Sequence, residues 1–394
     1  MTKPVLIAGA GLGGLLFARA LSRRGIPFKI YERDAHVNVR GQGYRIRIST
    51  DGINALKAVL TPEDYERLRR GTAQTGGGGI HNIDAITGEP EVKSDAANKN
   101  SDSNNKPKGG PGLGGDVLGV ARGFLREELL RGFEDKVTWN KNVRGYKLQS
   151  DGVVAVFADG ESEEGCMLVG ADGLHSGVTK QLTDGKVRSY DTGARMIHGQ
   201  TPARVFKDIG NGVFFLADHK SHPGYIGMIT NVRPGVLENE PDTELGWVFV
   251  GSPGSFDAPN GDFSITGKPA ADLSRELTQK WHPRLREILL QQNDAEAAFL
   301  KMSTASPDGV PEWKNEPRVT ILGDAVHCMT PAGGVGANSA LKDAEFLGRL
   351  IGEAGGFKEG ITEAYEKEMR VYASENVKMS FKEASQRFSI TDLK

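Results

Sequence analysis

The first 31 residues alternate between apolar runs and a helical pattern. Residues 4–8 form an uninterrupted apolar run, PVLIA, of the kind found in buried parallel strands. A glycine-rich turn follows, and then LLFARALSRRG, whose apolar positions recur at helical spacing as far as Gly25. The next segment, PFKIYER, has strand character again. The pattern therefore predicts a β-α-β unit at the N-terminus.

The remaining chain alternates between helical and strand-like blocks. Helices are predicted over residues 51–70, 121–133, 271–300, about 336–352 and about 360–388. Strands are predicted within 137–170, in four runs between 185 and 265 that fit an antiparallel sheet, and at 317–325. Segment 88–119 is rich in Asn, Ser, Lys, Asp, Gly and Pro, so it cannot bury a core, and we expect a flexible surface insertion there.

Composition narrows the class of protein. The chain has 394 residues, enough for two domains with substantial cores. Its 49 basic and 51 acidic residues nearly balance, which does not indicate a nucleic-acid partner. Two cysteines, Cys166 and Cys328, do not make a disulfide framework. No apolar run is long enough for a membrane span and no metal-ligand spacing is found, so we expect a cytoplasmic, metal-free monomer or dimer.

The turn after the first predicted strand fits the pattern G-x-G-x-x-G. Gly9 would make the tight turn, Gly11 would let the backbone approach a pyrophosphate, and Gly14 would let the helix pack closely on the strand. The helix opening at Leu12 would direct its N-terminus at the phosphates. Glu32 ends the second strand, where a carboxylate can bind ribose hydroxyls. The motif predicts dinucleotide binding without distinguishing FAD from NAD.

A second match to the same pattern lies at residues 110–115. No strand precedes it, Pro111 lies inside it, and it falls in the polar insertion. We therefore reject it as a nucleotide site.

Two further motifs each follow a predicted buried strand. Residues 169–176 read VGADGLHS, and residues 323–338 read GDAVHCMTPAGGVGAN. With these three motifs in this order, the chain resembles the FAD-dependent aromatic monooxygenases, the p-hydroxybenzoate-hydroxylase-like flavoproteins. Its length and C-terminal layout are most similar to small single-chain members, such as fungal secondary-metabolite and tetracycline-inactivating monooxygenases.

The resemblance implies an α/β fold in which a Rossmann-like FAD-binding domain is interleaved with an antiparallel-sheet substrate domain, followed by a C-terminal helix. The FAD-binding domain is predicted to comprise residues 1–70, 120–184 and 266–352. The substrate domain is predicted to comprise 71–119 and 185–265, and the C-terminal helical segment 353–394.

The resemblance also assigns residues to the ring end of FAD. Asp324 would bind the ribityl chain, and Pro331 with the turn through Gly334 and Gly336 would lie beside the isoalloxazine ring. The backbone amides near Ala337 and Asn338 would face the pyrimidine end of the ring. A helix N-terminus there offers unpaired N–H groups to the negative charge of reduced flavin.

Several arginines are candidates for the same site. Arg122 matches the flavin-contacting arginine of the family, whereas Arg126, one turn later, is interpreted as a surface charge. Arg33 is predicted to cover the adenosine. Arg45 and Arg47 share a strand face; one of them would reach the flavin or the substrate, with exposed strand charges as the alternative.

Three features qualify this assignment. The resemblance places Asp172 in contact with FAD and NAD(P)H, but Thr179 stands where the family commonly has an arginine. His327 is predicted to have a structural role beside the flavin loop. The four tryptophans do not form the W-x-W-x-I-P pattern of flavin halogenases, which argues against halogenation.

The implied activity is that of a single-component monooxygenase. NADPH or NADH would reduce FAD, O2 would give a C4a-hydroperoxyflavin, and this would hydroxylate or epoxidise an electron-rich aromatic or polycyclic small molecule. Tyr225 and Arg195 are the candidate catalytic residues, with sheet packing and a surface charge as the alternatives. Two other functions stay open: an oxidase or reductase on the same fold, and a flavin-binding partner protein without catalysis.

Overall fold

The computed structural model describes residues 3–37, 45–74, 79–91 and 117–394. The strands are β1 (Val5–Ala8), β2 (Phe28–Tyr31), β3 (Arg45–Ile48), β4 (Ala73–Gln74), β5 (Ile80–Asp84), β6 (Leu118–Ala121), β7 (Val137–Thr138), β8 (Val143–Leu148), β9 (Val153–Phe157), β10 (Ser162–Gly165), β11 (Met167–Gly170), β12 (Tyr190–Pro202), β13 (Gly212–Asp218), β14 (Ile226–Val232), β15 (Glu244–Gly251), β16 (Ala298–Thr304) and β17 (Val319–Ile321). The α-helices are α1 (Leu12–Ser22), α2 (Thr50–Val59), α3 (Pro62–Arg70), α4 (Arg122–Leu130), α5 (Gly177–Leu182), α6 (Val236–Asn239), α7 (Lys268–Leu277), α8 (Pro283–Leu290), α9 (Asp324–His327), α10 (Gly336–Glu353) and α11 (Ile361–Phe388). The predicted α/β class with a C-terminal helix is confirmed.

A five-stranded parallel sheet holds the first core. Its order is β17-β11-β1-β2-β7, and every residue of β1 is completely buried. The register aligns Ala8 with Gly170 and Gly170 with Ile321. Parallel strands have their carboxyl ends at the same edge of a sheet. The three sequence motifs, which follow β1, β11 and β17, therefore begin side by side at that edge.

A six-stranded sheet, in the order β16-β12-β15-β14-β13-β5, holds the second core. Its strands are antiparallel except for the β13-β5 pair. One face packs against α7 and α8 through side chains such as Trp247, Phe249 and Leu285. The other face carries Met196 and Val250, which pack with α11 and with the segment that follows β17. The two faces therefore have different partners, and only one of them meets the motif-bearing edge.

Two predicted helices differ from the structure. The helix over 51–70 is two helices, because Pro62 has no N–H to continue the first and Thr61 instead caps the second by accepting from the Asp64 N–H at 3.1 Å. The helix predicted over 271–300 is also two helices, α7 and α8; the second ends at Leu290, and β16 follows.

Strand β16 pairs with β12, so the segment with α7, α8 and β16 packs on the six-stranded sheet. The predicted domain bounds had given this segment to the FAD-binding domain. An apolar run such as AAFL suits a helix or a strand equally, and only the partner strand decides between them.

Residues 92–116 of the predicted insertion, including the whole of the second G-x-G-x-x-G match, lie outside the described residues. Within the described ranges, no helix combines the length and apolar character that crossing a membrane requires. In the same part of the chain, no group of three or more His, Cys, Asp or Glu side chains can hold a metal ion.

Candidate functional site

The loop after β1 is built around glycines. Gly9 has φ +104°, and a Cβ there would lie 2.3 Å from the Ala171 carbonyl oxygen. A Cβ on Gly14 would lie 2.2 Å from the Gly9 carbonyl oxygen, whereas one on Gly11 would meet no protein atom within 4 Å. Gly9 and Gly14 are therefore required by the fold itself. Gly11 leaves open space at the N-terminus of α1, where the sequence predicts a pyrophosphate.

Glu32 supports this loop from the end of β2. Its carboxylate accepts the Ala10 N–H at 2.7 Å and the Asp34 N–H at 3.0 Å, and the residue is only 6% exposed. These bonds leave lone pairs on both oxygens, so the carboxylate can still accept from a ribose hydroxyl.

The interpretation of Arg126 as a surface charge is wrong. Its side chain is 2% exposed and donates to the Ala10 carbonyl at 2.8 Å and to the Val37 carbonyl at 2.8 Å. It also lies 3.5 Å from the carboxylates of Glu32 and Asp34. Helix α4 presents this guanidinium inward because it packs on α1 beside the loop. Arg126 follows Arg122 by one helical turn, and nothing in the local sequence indicates that its side chain is buried.

Asp172 follows β11 and borders the same loop through its neighbour Ala171. Its Oδ1 is buried and has no hydrogen-bond partner among the described residues. Burial raises its pKa to about 6, although Ser176 and the charge of Arg33 act in the opposite direction. A buried carboxyl oxygen without a partner is typical of a binding site, because a ligand can supply the missing donor.

Replacing Asp172 with asparagine is expected to stabilise the cofactor-free protein in a pH-dependent way. The pKa of Asp172 in the folded protein lies above its value in the unfolded chain. The contribution of the protonated carboxyl to folding stability is therefore complete below about pH 4 and is lost as pH rises through about 6. Above pH 6 the variant should gain up to about 3 kcal/mol over the parent. Urea unfolding at pH 4.5 and pH 8 measures the difference.

The matched control is the exposed Asp151, which forms an ion pair with Lys3 and has a lowered pKa. Asp151→Asn should not gain stability at pH 8. An equal change in unfolding free energy for Asp172→Asn at the two pH values would contradict the raised pKa of Asp172.

The Gly323-Asp324 motif is held by a buried polar cluster. Asp343, in α10, accepts the Gly323 N–H at 2.8 Å and lies 2.6 Å from His327 Nε2. Tyr372, in α11, donates to its other oxygen at 2.5 Å. Burial opposes protonation of His327, but the charge and hydrogen bond of Asp343 outweigh it and raise the His327 pKa. The cluster fixes the turn from which Asp324, an exposed side chain, projects.

Thr179 takes part in this arrangement, although the resemblance predicts an arginine at its position. Its hydroxyl donates to the Ala325 carbonyl at 2.9 Å, which ties α5 to the turn at Asp324. A cavity of about 390 Å³ lies between these segments and is bordered by Ser176, Thr179, Asp324 and Cys328.

The segment from Pro331 to Asn338 forms the end of the site nearest the six-stranded sheet. Gly333 and Gly334 have φ +76° and +64°, so the chain turns sharply before α10 begins at Gly336. Asn338 donates to the carbonyls of Arg47 at 2.9 Å and Gly334 at 2.8 Å. It also accepts the Ser49 N–H at 2.8 Å. The Asn338 side chain thus fixes the turn against β3, a role that is additional to the one predicted for its backbone amide.

The predicted arginines border the site in different ways. Arg47 is half-buried in β3, and this burial lowers its pKa. Arg122 is the first residue of α4 and directly follows β6, the strand that pairs with β3. Arg45 pairs with Ala121 through its backbone. Arg33 is exposed and near enough to Asp172 for its charge to lower that pKa.

The two candidate catalytic residues occupy different environments. Tyr225 lines a cavity of about 550 Å³ on the sheet face that meets α11, and burial raises its pKa. Arg195 is neither a surface charge nor part of that face. It is 5% exposed and bonds to Asp191 and Asp257, both at 2.8 Å, beside Phe263 on the helix-covered side. We therefore withdraw Arg195 as a catalytic candidate.

The residues present fit FAD. The open space at Gly11, the unpaired oxygen of Asp172 and the exposed Asp324 lie along one edge of the parallel sheet. The edge starts at one helix N-terminus, that of α1, and ends at another, that of α10. Two separated anion-favouring ends suit a long cofactor with a pyrophosphate at one end and an electron-accepting ring at the other.

Known proteins are similar to this chain in sequence and in fold. A family model for the FAD binding domain matches residues 124–380, and a model for NAD(P)-binding Rossmann-like domains matches residues 7–70. The chain is 32% identical over 391 residues to the dual O-methyltransferase/FAD-dependent monooxygenase CTB3 of Cercospora beticola, covering 90% of this chain and 42% of that protein. It is 34% identical over 390 residues to elcB of Phaeosphaeria nodorum, a protein with the same descriptive name, covering 88% and 40%. The chain spans less than half the length of these curated relatives.

A solved structure is similar over almost its whole length. It is a "putative FAD containing monooxygenase" from Photorhabdus luminescens, with a TM-score of 0.75 and 27% identity, covering 98% of this chain and 99% of that one. The FAD-binding family model covers more than half of the chain and includes two of the three motifs. The chain therefore belongs to this family of FAD-binding oxidoreductases, whose relatives named above are FAD-dependent monooxygenases.

Proposed function

We propose that the protein is an NAD(P)H-dependent monooxygenase that hydroxylates or epoxidises an electron-rich aromatic or polycyclic molecule. One observation carries the proposal. The edge of the parallel sheet at which the three motifs lie, here called the cofactor edge, begins at Gly9. It ends at a turn where Ala332 packs with side chains on the face of the six-stranded sheet that α7 and α8 do not cover, which we call the free face. A redox ring held at that turn would lie beside a surface suited to a substrate.

When bound, FAD supplies the chemistry: it accepts hydride from NAD(P)H and activates O2 so that one oxygen atom is transferred to the substrate. The protein supplies binding and orientation. The amides at the start of α1 would hold the pyrophosphate, Glu32 the ribose, and Asp324 the ribityl chain. The N-terminus of α10 would favour negative charge on the reduced ring.

Exclusion of water is the second contribution of the protein. The free sheet face is bordered by α11, whose Ala384 and Phe388 pack with Met196 and Val250. A dry site favours oxygen transfer over the loss of peroxide to water. We propose that NAD(P)H binds transiently, since the chain has a single G-x-G-x-x-G preceded by a strand.

The test uses the protein loaded with FAD. Anaerobic addition of NADH or NADPH should bleach the flavin, and turnover of phenolic and quinone-type aromatics under 18O2 should place the label in the product. Bleaching without labelled product would favour an oxidase or reductase. A bound flavin that neither nicotinamide bleaches would favour a flavin-binding protein without catalysis.

Tyr225 is proposed to contact the substrate from the cavity on the free face. Because burial raises its pKa, its hydroxyl is suited to donating a hydrogen bond and poorly suited to acting as an ionised base. Tyr225→Phe should lower kcat/KM by about fivefold, the effect of one lost hydrogen bond. Unchanged turnover in the phenylalanine variant would remove Tyr225 from the site.

A further inference from the structure

Four side chains form a row across the centre of the six-stranded sheet. Phe215 pairs with Ile229, Ile229 with Val248, and Val248 with His198. Paired residues of neighbouring strands share a face of the sheet. With strands about 4.8 Å apart, the row spans about 14 Å. We call these four residues the platform row.

The platform row lies on the less covered side of its strands. Its three apolar members are half-buried. The residues next to them in the chain, Phe214, Met228 and Trp247, are at most 2% exposed, because α7 and α8 cover the opposite face. Three aligned apolar side chains that keep part of their surface free form a flat surface on which a ligand can lie.

This row adjoins the cofactor edge. Val248 and Ala332 both pack against the buried cluster that contains Met196 and Val250, so the row and the turn of residues 331–336 border the same cluster. At one end of the row, His198 is near enough to Arg122 for that charge to act on it. At the other end, Phe215 lines the cavity of about 550 Å³ together with Tyr225 and Arg387, whose guanidinium lies 4.3 Å from the Phe215 ring centre.

His198 gives the row a polar end. The residue is 3% exposed, and burial together with the charge of Arg122 lowers its pKa to about 4. Its imidazole is therefore neutral at pH 7, and its buried Nδ1 makes no hydrogen bond among the described residues. A neutral ring of this kind suits a hydroxyl or a carbonyl better than a charged group.

We propose that the platform row carries a flat, multi-ring aromatic substrate and that His198 determines specificity by binding a hydroxyl or carbonyl on the ring nearest Arg122. This inference rests on the proposed function. A single-ring substrate would cover only part of the row and would lose the burial of the remaining apolar surface. A multi-ring compound without a polar group would leave His198 Nδ1 facing an apolar ligand.

The first arm of the test measures the apolar surface. Calorimetric titration of the FAD-loaded protein compares 1,8-dihydroxyanthraquinone with the single-ring 4-hydroxybenzoate. The three-ring probe should bind at least about tenfold more tightly. Val248→Ser should weaken its binding several-fold. Val156→Ser, in a half-buried position of β9 outside the row, should leave it unchanged.

The second arm measures the polar contact. The parent protein should prefer 1,8-dihydroxyanthraquinone over 1,8-dimethoxyanthraquinone by about tenfold. His198→Leu should abolish this preference, and His198→Gln should restore most of it. If the leucine variant does not fold, His198→Phe provides the same comparison. If the role of His198 were purely structural, its replacement would weaken the binding of both probes equally.

Two results would overturn the inference: equal or tighter binding of 4-hydroxybenzoate, or a hydroxyl preference that survives in His198→Leu. Because these titrations need no turnover, their outcome is separate from flavin bleaching and 18O incorporation. If the protein oxygenates single-ring compounds, the proposed monooxygenase function holds, but the platform row does not carry a multi-ring substrate.

Discussion

Replacing Gly11 with alanine is expected to weaken FAD binding by about a hundredfold, or about 2.8 kcal/mol, while the cofactor-free protein keeps its stability. Gly11 has φ −76° and ψ −178°, which alanine adopts without strain. Its Cβ would meet no protein atom within 4 Å. The methyl group would instead occupy the space through which a pyrophosphate approaches the backbone. Fluorescence titration with FAD and thermal unfolding of the apoprotein measure the two quantities separately.

The matched variant is Gly14→Ala in the same loop. Its Cβ would lie 2.2 Å from the Gly9 carbonyl oxygen, so this change should destabilise the apoprotein as well as the complex. The pair separates a glycine needed by the ligand from a glycine needed by the fold. If Gly11→Ala binds FAD as tightly as the parent, the pyrophosphate does not lie at this loop.

Replacing Asp343 with alanine is expected to lower the free energy of unfolding by about 3–5 kcal/mol, the usual cost of breaking a buried charged pair. The change leaves three buried donors without an acceptor: the Gly323 N–H, the Tyr372 hydroxyl and His327. Because Gly323 precedes Asp324, FAD affinity should fall in the same variant. Chemical denaturation and FAD titration provide both measurements.

Two further variants make this result specific. Glu353 lies on the same helix, α10, and pairs at 3.3 Å with Arg349 at the surface, so Glu353→Ala should cost about 1 kcal/mol at most. Asp343→Asn keeps an acceptor oxygen and should fall between the two. A loss in Asp343→Ala no larger than that in Glu353→Ala would refute the role of the cluster.

Local sequence signals predicted the glycine turn after β1. Gly9 and Gly14 lie where a side chain would collide with the backbone, and each requirement is contained within a few neighbouring residues. The strand-turn-helix context at residues 5–22 follows from apolar periodicity over the same short range. The family match over residues 124–380 agrees with the family resemblance that the motifs at residues 169–176 and 323–338 indicate.

Residues whose roles depend on distant partners were missed. Arg126 is buried by contacts with Ala10 and Val37, which are 116 and 89 positions away. Arg195 is held by Asp257, 62 positions away. Neither residue differs in its local sequence from a solvated charge on a helix or strand, so burial could not be predicted for them.

The sequence by itself determined the three loops, their order and the α/β class, because turn chemistry and hydrophobic periodicity are local properties. Only the tertiary structure decided which charges are buried, which sheet β16 joins and which face of that sheet α7 and α8 leave uncovered. These properties arise when segments far apart in the chain pack together, and strand partners are chosen by complementary surfaces that a linear pattern does not contain. His198 illustrates the difference: it is an ordinary strand residue in the sequence, and its place at the end of an apolar row depends on the register of four strands.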